Sequence, residues 1–139
     1  MTQPTVHATT VAWDGRGLLI LGPSGSGKSA LALRLMALGA RLVADDRTVL
    51  DRRGNTLWAS APDATRGLIE ARGIGILRAD ALPSAPVVLA VDLTQPEVER
   101  LPPDRHITLH GLAIPLVWRV DASHFDSGLI QVLKAGRAG

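Results

Sequence analysis

The chain of 139 residues contains no cysteine and no tyrosine, and its aromatic complement is three tryptophans and one phenylalanine. Without cysteine there are no disulfides, thiolate zinc sites or cysteine nucleophiles, a usage that fits a reducing cytosol. So few aromatic rings also argue against a base-stacking platform for single-stranded nucleic acid. Charge of one sign is lacking as well: 15 basic against 13 acidic side chains leave a formal +2, too little to argue for a nucleic-acid partner. No apolar run approaches the roughly 18–20 residues of a membrane span. Met1-Thr2-Gln3-Pro4 leads into Thr5-Val6-His7 without a basic-plus-apolar signal segment. These absences predict a soluble cytoplasmic chain, one domain over residues 1–139 with an aliphatic core, and no nucleic-acid or membrane partner.

What is present is Gly22-Pro23-Ser24-Gly25-Ser26-Gly27-Lys28-Ser29, a complete G-x-x-x-x-G-K-[ST] phosphate-loop motif. It follows the apolar run Leu18–Leu21 and opens the helix-forming run Ala30–Met36, the strand–loop–helix context that the motif requires. The glycines let backbone N–H groups curl around a phosphate, and the positive end of the helix adds to the attraction. Lys28 is predicted to reach the β- and γ-phosphates and the Ser29 hydroxyl to ligate Mg²⁺. The motif therefore predicts binding of a nucleoside triphosphate, ATP with Mg²⁺, through residues Gly22 to Ser29.

Around this motif, Val6–Trp13 reads as a strand, and Asp14-Gly15 as a hairpin turn that returns the chain along Gly17–Leu21. A helix is predicted over Lys28–Leu38, apolar nearly all round and buried against a sheet, with Gly39 at its C-terminal cap. Arg41–Ala44 reads as a strand ending in Asp45-Asp46, and Thr48–Asp51 with Thr56–Ser60 as a second hairpin. Residues 61–75 are poorly patterned. Val87–Asp92 is a strongly apolar strand, and Pro96–Arg100 reads as a short turn of helix before Pro102-Pro103. Ile107–Leu109 and Ala113–Val120 are further strands, and Phe125–Ala135 is a terminal helix. The fold class expected is α/β, a mixed sheet with hairpins around one strand–loop–helix unit, not an alternating βαβ layout.

Phosphoryl transfer needs one acid to hold Mg²⁺ and usually another to orient or deprotonate the nucleophile. Asp92, ending Val87–Val91, looks like the end of a Walker-B strand. Asp45-Asp46 end the strand after the loop's helix, a strand that usually neighbours the loop's own. Adjacent aspartates repel unless a cation or arginine lies close, and Arg47 is a sequence neighbour.

His7, the loop fifteen positions later, Arg41-Leu42-Val43-Ala44-Asp45-Asp46-Arg47 and Leu68-Ile69-Glu70-Ala71-Arg72-Gly73-Ile74-Gly75 together resemble the catalytic domain of HPr(Ser) kinase/phosphorylase. The resemblance is close over about residues 5–78 and weaker through Arg100 and Ile114-Pro115. It implies an ATP-dependent protein-serine kinase that phosphorylates an HPr-like phosphocarrier. It also implies an active-site role for His7, phosphate binding by Lys28, and metal binding by Ser29 and Glu70. Of Asp45 and Asp46, one becomes the general base of transfer, which is also the acid of the reverse reaction. Arg100 matches a catalytic arginine, and Asp92 becomes the end of a core strand.

Departures are specific. Pro23 and Ser26 stand where the family commonly has an aspartate and an aliphatic residue. Val120–Phe125 lacks the Pro-Gly-Arg-Asn-containing segment that the family's long forms tie to dephosphorylation and subunit contact. The kinase direction is thus implied more strongly than the phosphorylase direction, and a homo-oligomer is left open. Other readings are a small-molecule kinase of the guanylate or shikimate type, which lacks its arginine-rich lid here, and a transporter ATPase, whose Leu-Ser-Gly-Gly-Gln signature is missing. A silent nucleotide-binding regulator would not need His7, Asp45, Asp46 and Glu70 together. His106 and His110 sit on a strand at a separation of roughly 13 Å, which does not suit a shared metal.

Overall fold

The computed structural model describes residues 4–138; Met1–Gln3 and Gly139, and with them most of the segment in which no signal sequence is expected, lie outside the described residues. In chain order the elements are β1 (Thr5–Trp13), β2 (Arg16–Leu21), α1 (Lys28–Ala37), β3 (Arg41–Ala44), β4 (Arg47–Arg53) and β5 (Thr56–Ser60). A 3-10 turn at Asp63–Thr65 precedes β6 (Leu68–Ala71), β7 (Gly75–Arg78), β8 (Ser84–Pro96), β9 (Arg105–Leu109), β10 (Leu112–Arg119) and α2 (Phe125–Ala135). The mixed α/β architecture in which strands dominate matches the expectation.

Two-residue turns write much of the sheet. Asp14 and Gly15, both at positive φ (50° and 77°), join Trp13 to its partner Arg16, so β1 and β2 run antiparallel with Leu18 opposite Val11. Gly54 at φ 62° does the same between Arg53 and Thr56. β2 pairs on its other edge with β8 in parallel, and β8 pairs in parallel with β10. Both β1 and β8 are long enough to serve two sets of partners. Thr5–His7 pair with β4, and Ser84–Pro86 pair with β5, so the sheet folds over on itself.

That folding creates two apolar layers. Strand alternation sends Leu18, Ile20, Leu89 and Val91 toward α1 and α2, where they pack with Leu31, Leu35, Leu129 and Leu133. Leu19, Ala90 and Ala8 face the other way, onto Leu50, Leu57 and Ala59. Each buried leucine contributes on the order of 1.5–3 kcal/mol. α1 ends in a Schellman arrangement, in which the Gly39 N–H donates to Met36 O and the Ala40 N–H to Leu35 O, each at 3.1 Å.

Three expectations need correction. β3 does not neighbour the loop's own strand; it pairs with β1, which lies between them. Residues 68–78 form a hairpin, β6 with β7, in a region whose sequence is poorly patterned. Pro96–Arg100 contains no helical turn. There the Glu97 carboxylate accepts the N–H groups of Val98 and Glu99, giving those donors a local partner in place of a helical carbonyl. Arg105 grips the same carboxylate with two hydrogen bonds of 3.1 Å while stacking 3.5 Å over Trp118, and Pro102-Pro103 blocks continuation.

Candidate functional site

The segment Gly22–Gly27 leaves the carboxyl end of β2 and delivers Lys28 and Ser29 into the first turn of α1. Gly25 and Gly27 take φ of 84° and 97°, where a side chain would be strained. Gly22 is needed for a different reason. A Cβ there would stand 2.3 Å from the Ser26 hydroxyl oxygen, which is buried without a hydrogen-bond partner. An aliphatic residue at position 26 would fill that place without an orphaned polar atom.

Lys28 is the buried cation of the site, 4% exposed. Its Nζ donates to Pro23 O at 3.0 Å and lies 3.5 Å from Asp46 Oδ1. An ammonium held in this way keeps donor capacity directed at the loop.

The two aspartates are held differently. Asp45 is locked in place: Oδ1 accepts the Ser29 hydroxyl at 2.5 Å and the Thr9 hydroxyl at 3.0 Å, while Oδ2 accepts the Glu70 backbone N–H at 2.9 Å. Asp46 is more than half exposed, its carboxylate paired with Lys28 at 3.5 Å and taking no side-chain hydrogen bond among the described residues. Its backbone sits at φ 64°, a sparsely populated conformation for a residue with a side chain. Three hydrogen bonds pin it there: Asp46 N–H to Thr9 Oγ1, Ala8 N–H to Asp46 O, and Arg47 N–H to Asp45 O.

Thr9, fully buried, thus accepts from Asp46 and donates to Asp45. Sequence reasoning misses it, because a threonine in a strand carries no signal beyond ordinary β propensity.

Glu70, on β6, shares a cleft of about 550 Å³ with Ser24, Lys28, Ser29 and Arg72. The Ser29 hydroxyl and the Glu70 carboxylate, both lining this cleft, are hard oxygen donors, although no cluster of three or more histidine or carboxylate side chains able to hold a metal occurs among the described residues. His7 is exposed on β1 and borders a groove of about 350 Å³ with Leu21, Gly22, Pro23 and Ser24. The structure therefore gathers His7, Lys28, Ser29, Asp45, Asp46 and Glu70 around the loop. It does not bring Arg100 to them: Arg100 is exposed beyond β8, without a hydrogen bond or ion pair to any of these groups among the described residues.

Asp92 stands opposite Leu21 on the strand next to the loop's own, yet among the described residues it makes no hydrogen bond or ion pair to these groups. Val91 and Leu93 face the helices, so alternation turns Asp92 to the other face, where Oδ1 accepts the Thr94 N–H and hydroxyl. A wider concavity of about 860 Å³ lies at the opposite end of β2, where Arg16, His106 and Leu133 line it, and contains none of these residues.

Comparison with known proteins identifies the family. A family model described as the HPr Serine kinase C-terminal domain matches residues 1–92. The chain belongs to that family. An HPr kinase/phosphorylase of Caldanaerobacter subterraneus is 50% identical over 76 residues, 54% of this chain and 25% of that protein. One from Streptococcus equi subsp. zooepidemicus is 36% identical over 128 residues, 83% of this chain and 41% of that protein. The solved structure of the HPr(Ser) kinase/phosphatase from Coxiella burnetii superposes with a TM-score of 0.79 at 27% identity, covering 95% of this chain and 88% of that one. The chain thus spans between about a quarter and two fifths of the length of these two curated relatives. No helix among the described residues is long and apolar enough to cross a membrane.

Proposed function

We propose that this chain is an ATP-dependent protein-serine kinase, a single phosphate-loop domain over residues 1–139 that phosphorylates a serine of an HPr-like phosphocarrier in the cytoplasm. One observation carries the reading: in a member of this family, a buried lysine, a hydroxyl and three carboxylates converge on one glycine-rich loop at the mouth of a cleft.

In this reading the loop N–H groups and Lys28 hold the phosphate chain, with Ser29 and Glu70 as metal ligands and Asp45 anchoring the Ser29 hydroxyl. A bound magnesium ion supplies charge neutralisation at the phosphate oxygens. Asp46, exposed and beside Lys28, accepts the proton of the incoming serine hydroxyl. Asp45 is a poorer base, since three donors already occupy its oxygens. His7 lies beside the reacting phosphate from the β1 side. With inorganic phosphate in place of ADP as the acceptor of the phosphoryl group, the same groups would give phosphorylase activity: pyrophosphate forms and Asp46 returns the proton to the released serine oxygen. Arg100 acts only once the loop beyond β8 is drawn to the cleft by substrate or by another copy of the chain.

The test is transfer itself. The protein is incubated with labelled ATP, Mg²⁺ and purified HPr-like proteins, and the acceptor is analysed for phosphoserine. Label on serine supports the reading; ATP binding with no acceptor labelled by any such protein removes it.

A further inference from the structure

A second cleft, of about 470 Å³, flanks the loop on the side away from the aspartates. Resting on the reading of the loop as a phosphate-donor site, we propose that this cleft receives the ribose and base of the donor nucleotide.

The topology prepares it. β2, β8 and β10 are three neighbouring parallel strands; the loop leaves the carboxyl end of β2, Leu93 lies shortly before β8 ends at Pro96, and Val120 follows β10. Ligands of open α/β sheets bind in the crevice outside such carboxyl ends. The carboxylates that serve chemistry all lie across β2, at the end of β3 and on β6. In-line transfer puts the acceptor hydroxyl and the leaving phosphate on opposite sides of the reacting phosphorus. With the acceptor entering beside Asp46, the rest of the nucleotide extends toward β8 and β10.

The two clefts meet over Gly27, Ala30 and Arg34, which line both, so the phosphate chain has a continuous path across the first turn of α1. The volume lies within the roughly 300–1,000 Å³ of small-molecule sites. Its walls are fixed by polar contacts that need no ligand. Arg119 donates to Leu93 O at 2.7 Å and to Asp121 Oδ1 at 3.0 Å, tying together the ends of β8 and β10. Arg34 and Asp126 pair at 2.7 Å across α1 and α2. Val120 and Leu93 offer aliphatic surface to a base, and Asp121 and Ser123, both exposed, offer acceptors to ribose hydroxyls.

The experiment separates the nucleoside from its phosphates. Ser123→Trp and Ala122→Trp place a bulky ring at exposed positions on the rim, where the fold does not depend on the side chain. Calorimetric titration with ATP–Mg²⁺ and with inorganic tripolyphosphate–Mg²⁺ is carried out on wild type and both variants, each first checked by its thermal transition. ATP affinity is expected to fall about tenfold or more in a variant that folds, with tripolyphosphate affinity within about twofold of wild type. ATP and tripolyphosphate weakened alike, or neither changed in either variant, overturns the cleft assignment while leaving the loop reading intact. A wild type that binds neither ligand overturns the loop reading itself.

Discussion

The Ser29 hydroxyl donates to Asp45 Oδ1 at 2.5 Å, joining the first turn of α1 to the end of β3 across the intervening strand β1. This contact gives two adjacent carboxylates different surroundings. Asp45 holds Ser29, Thr9 and the β6 backbone by hydrogen bonds, whereas the exposed Asp46 carboxylate pairs only with Lys28 among the described residues.

Substituting the aspartates separately should expose that difference. Asp46→Asn removes the base and is expected to slow transfer to the carrier by roughly 10²–10⁴-fold with little change in ATP affinity. Asp45→Asn is expected instead to weaken Mg²⁺-dependent nucleotide binding, since it disturbs the Ser29 hydroxyl. Single-turnover transfer and nucleotide titration read the two effects. A slow-transfer phenotype confined to Asp45→Asn would reverse the roles.

Lys28→Ala should nearly abolish ATP–Mg²⁺ binding, because it removes the one side-chain charge aimed at the β- and γ-phosphates. It also leaves Asp46 without its cation partner. Calorimetry in which the variant and wild type bind ATP–Mg²⁺ equally would refute the phosphate site.

Thr9→Val keeps the shape of a fully buried residue but deletes both of its hydrogen bonds. The Asp46 N–H loses its partner, for a cost of about 1–3 kcal/mol in stability. Transfer should fall further than this alone requires, because the positive-φ turn that presents Asp46 loses a tether. Urea unfolding together with transfer rate tests this positioning role, and Thr9→Ser is expected to restore transfer. A Thr9→Val protein with wild-type transfer would show that Asp46 needs no such tether.

Glu97 gives a pH dependence whose sign is defined. Hydrogen bonds from Arg105, outweighing the opposing effect of burial, hold its carboxyl below the ordinary value of 4.5. A depressed carboxyl contributes stability that is present above the unfolded-state value and is lost as pH falls through the folded-state value. The urea midpoint of wild type should therefore drop below about pH 4.5 more steeply than that of Glu97→Gln, with the two converging in acid. Parallel curves from about pH 6 to about pH 3 would contradict the linkage.

Elements set by neighbouring residues are legible in the sequence alone. Asp14-Gly15 and Gly54-Asn55 mark their turns by conformations few residues adopt, Gly39 stops α1, and the glycines with Lys28 and Ser29 announce the loop. The β6–β7 hairpin is not legible: each strand has only four residues, and although β6 alternates, with Ile69 and Ala71 buried and Glu70 exposed, β7 leaves Ile76 exposed and sets it next to the half-buried Leu77. What only the tertiary structure decided is how the acids are placed around the loop. Asp92 lies on the adjacent strand, but alternation turns its carboxylate to the far face. Asp45 comes from one strand further away and reaches Ser29 because Thr9 on β1 and the β6 backbone steer it there. Local preference acts along the chain and so can be read from it. The reach of a carboxylate depends on which face and which neighbour the fold assigns it, and those are settled only when the layers pack.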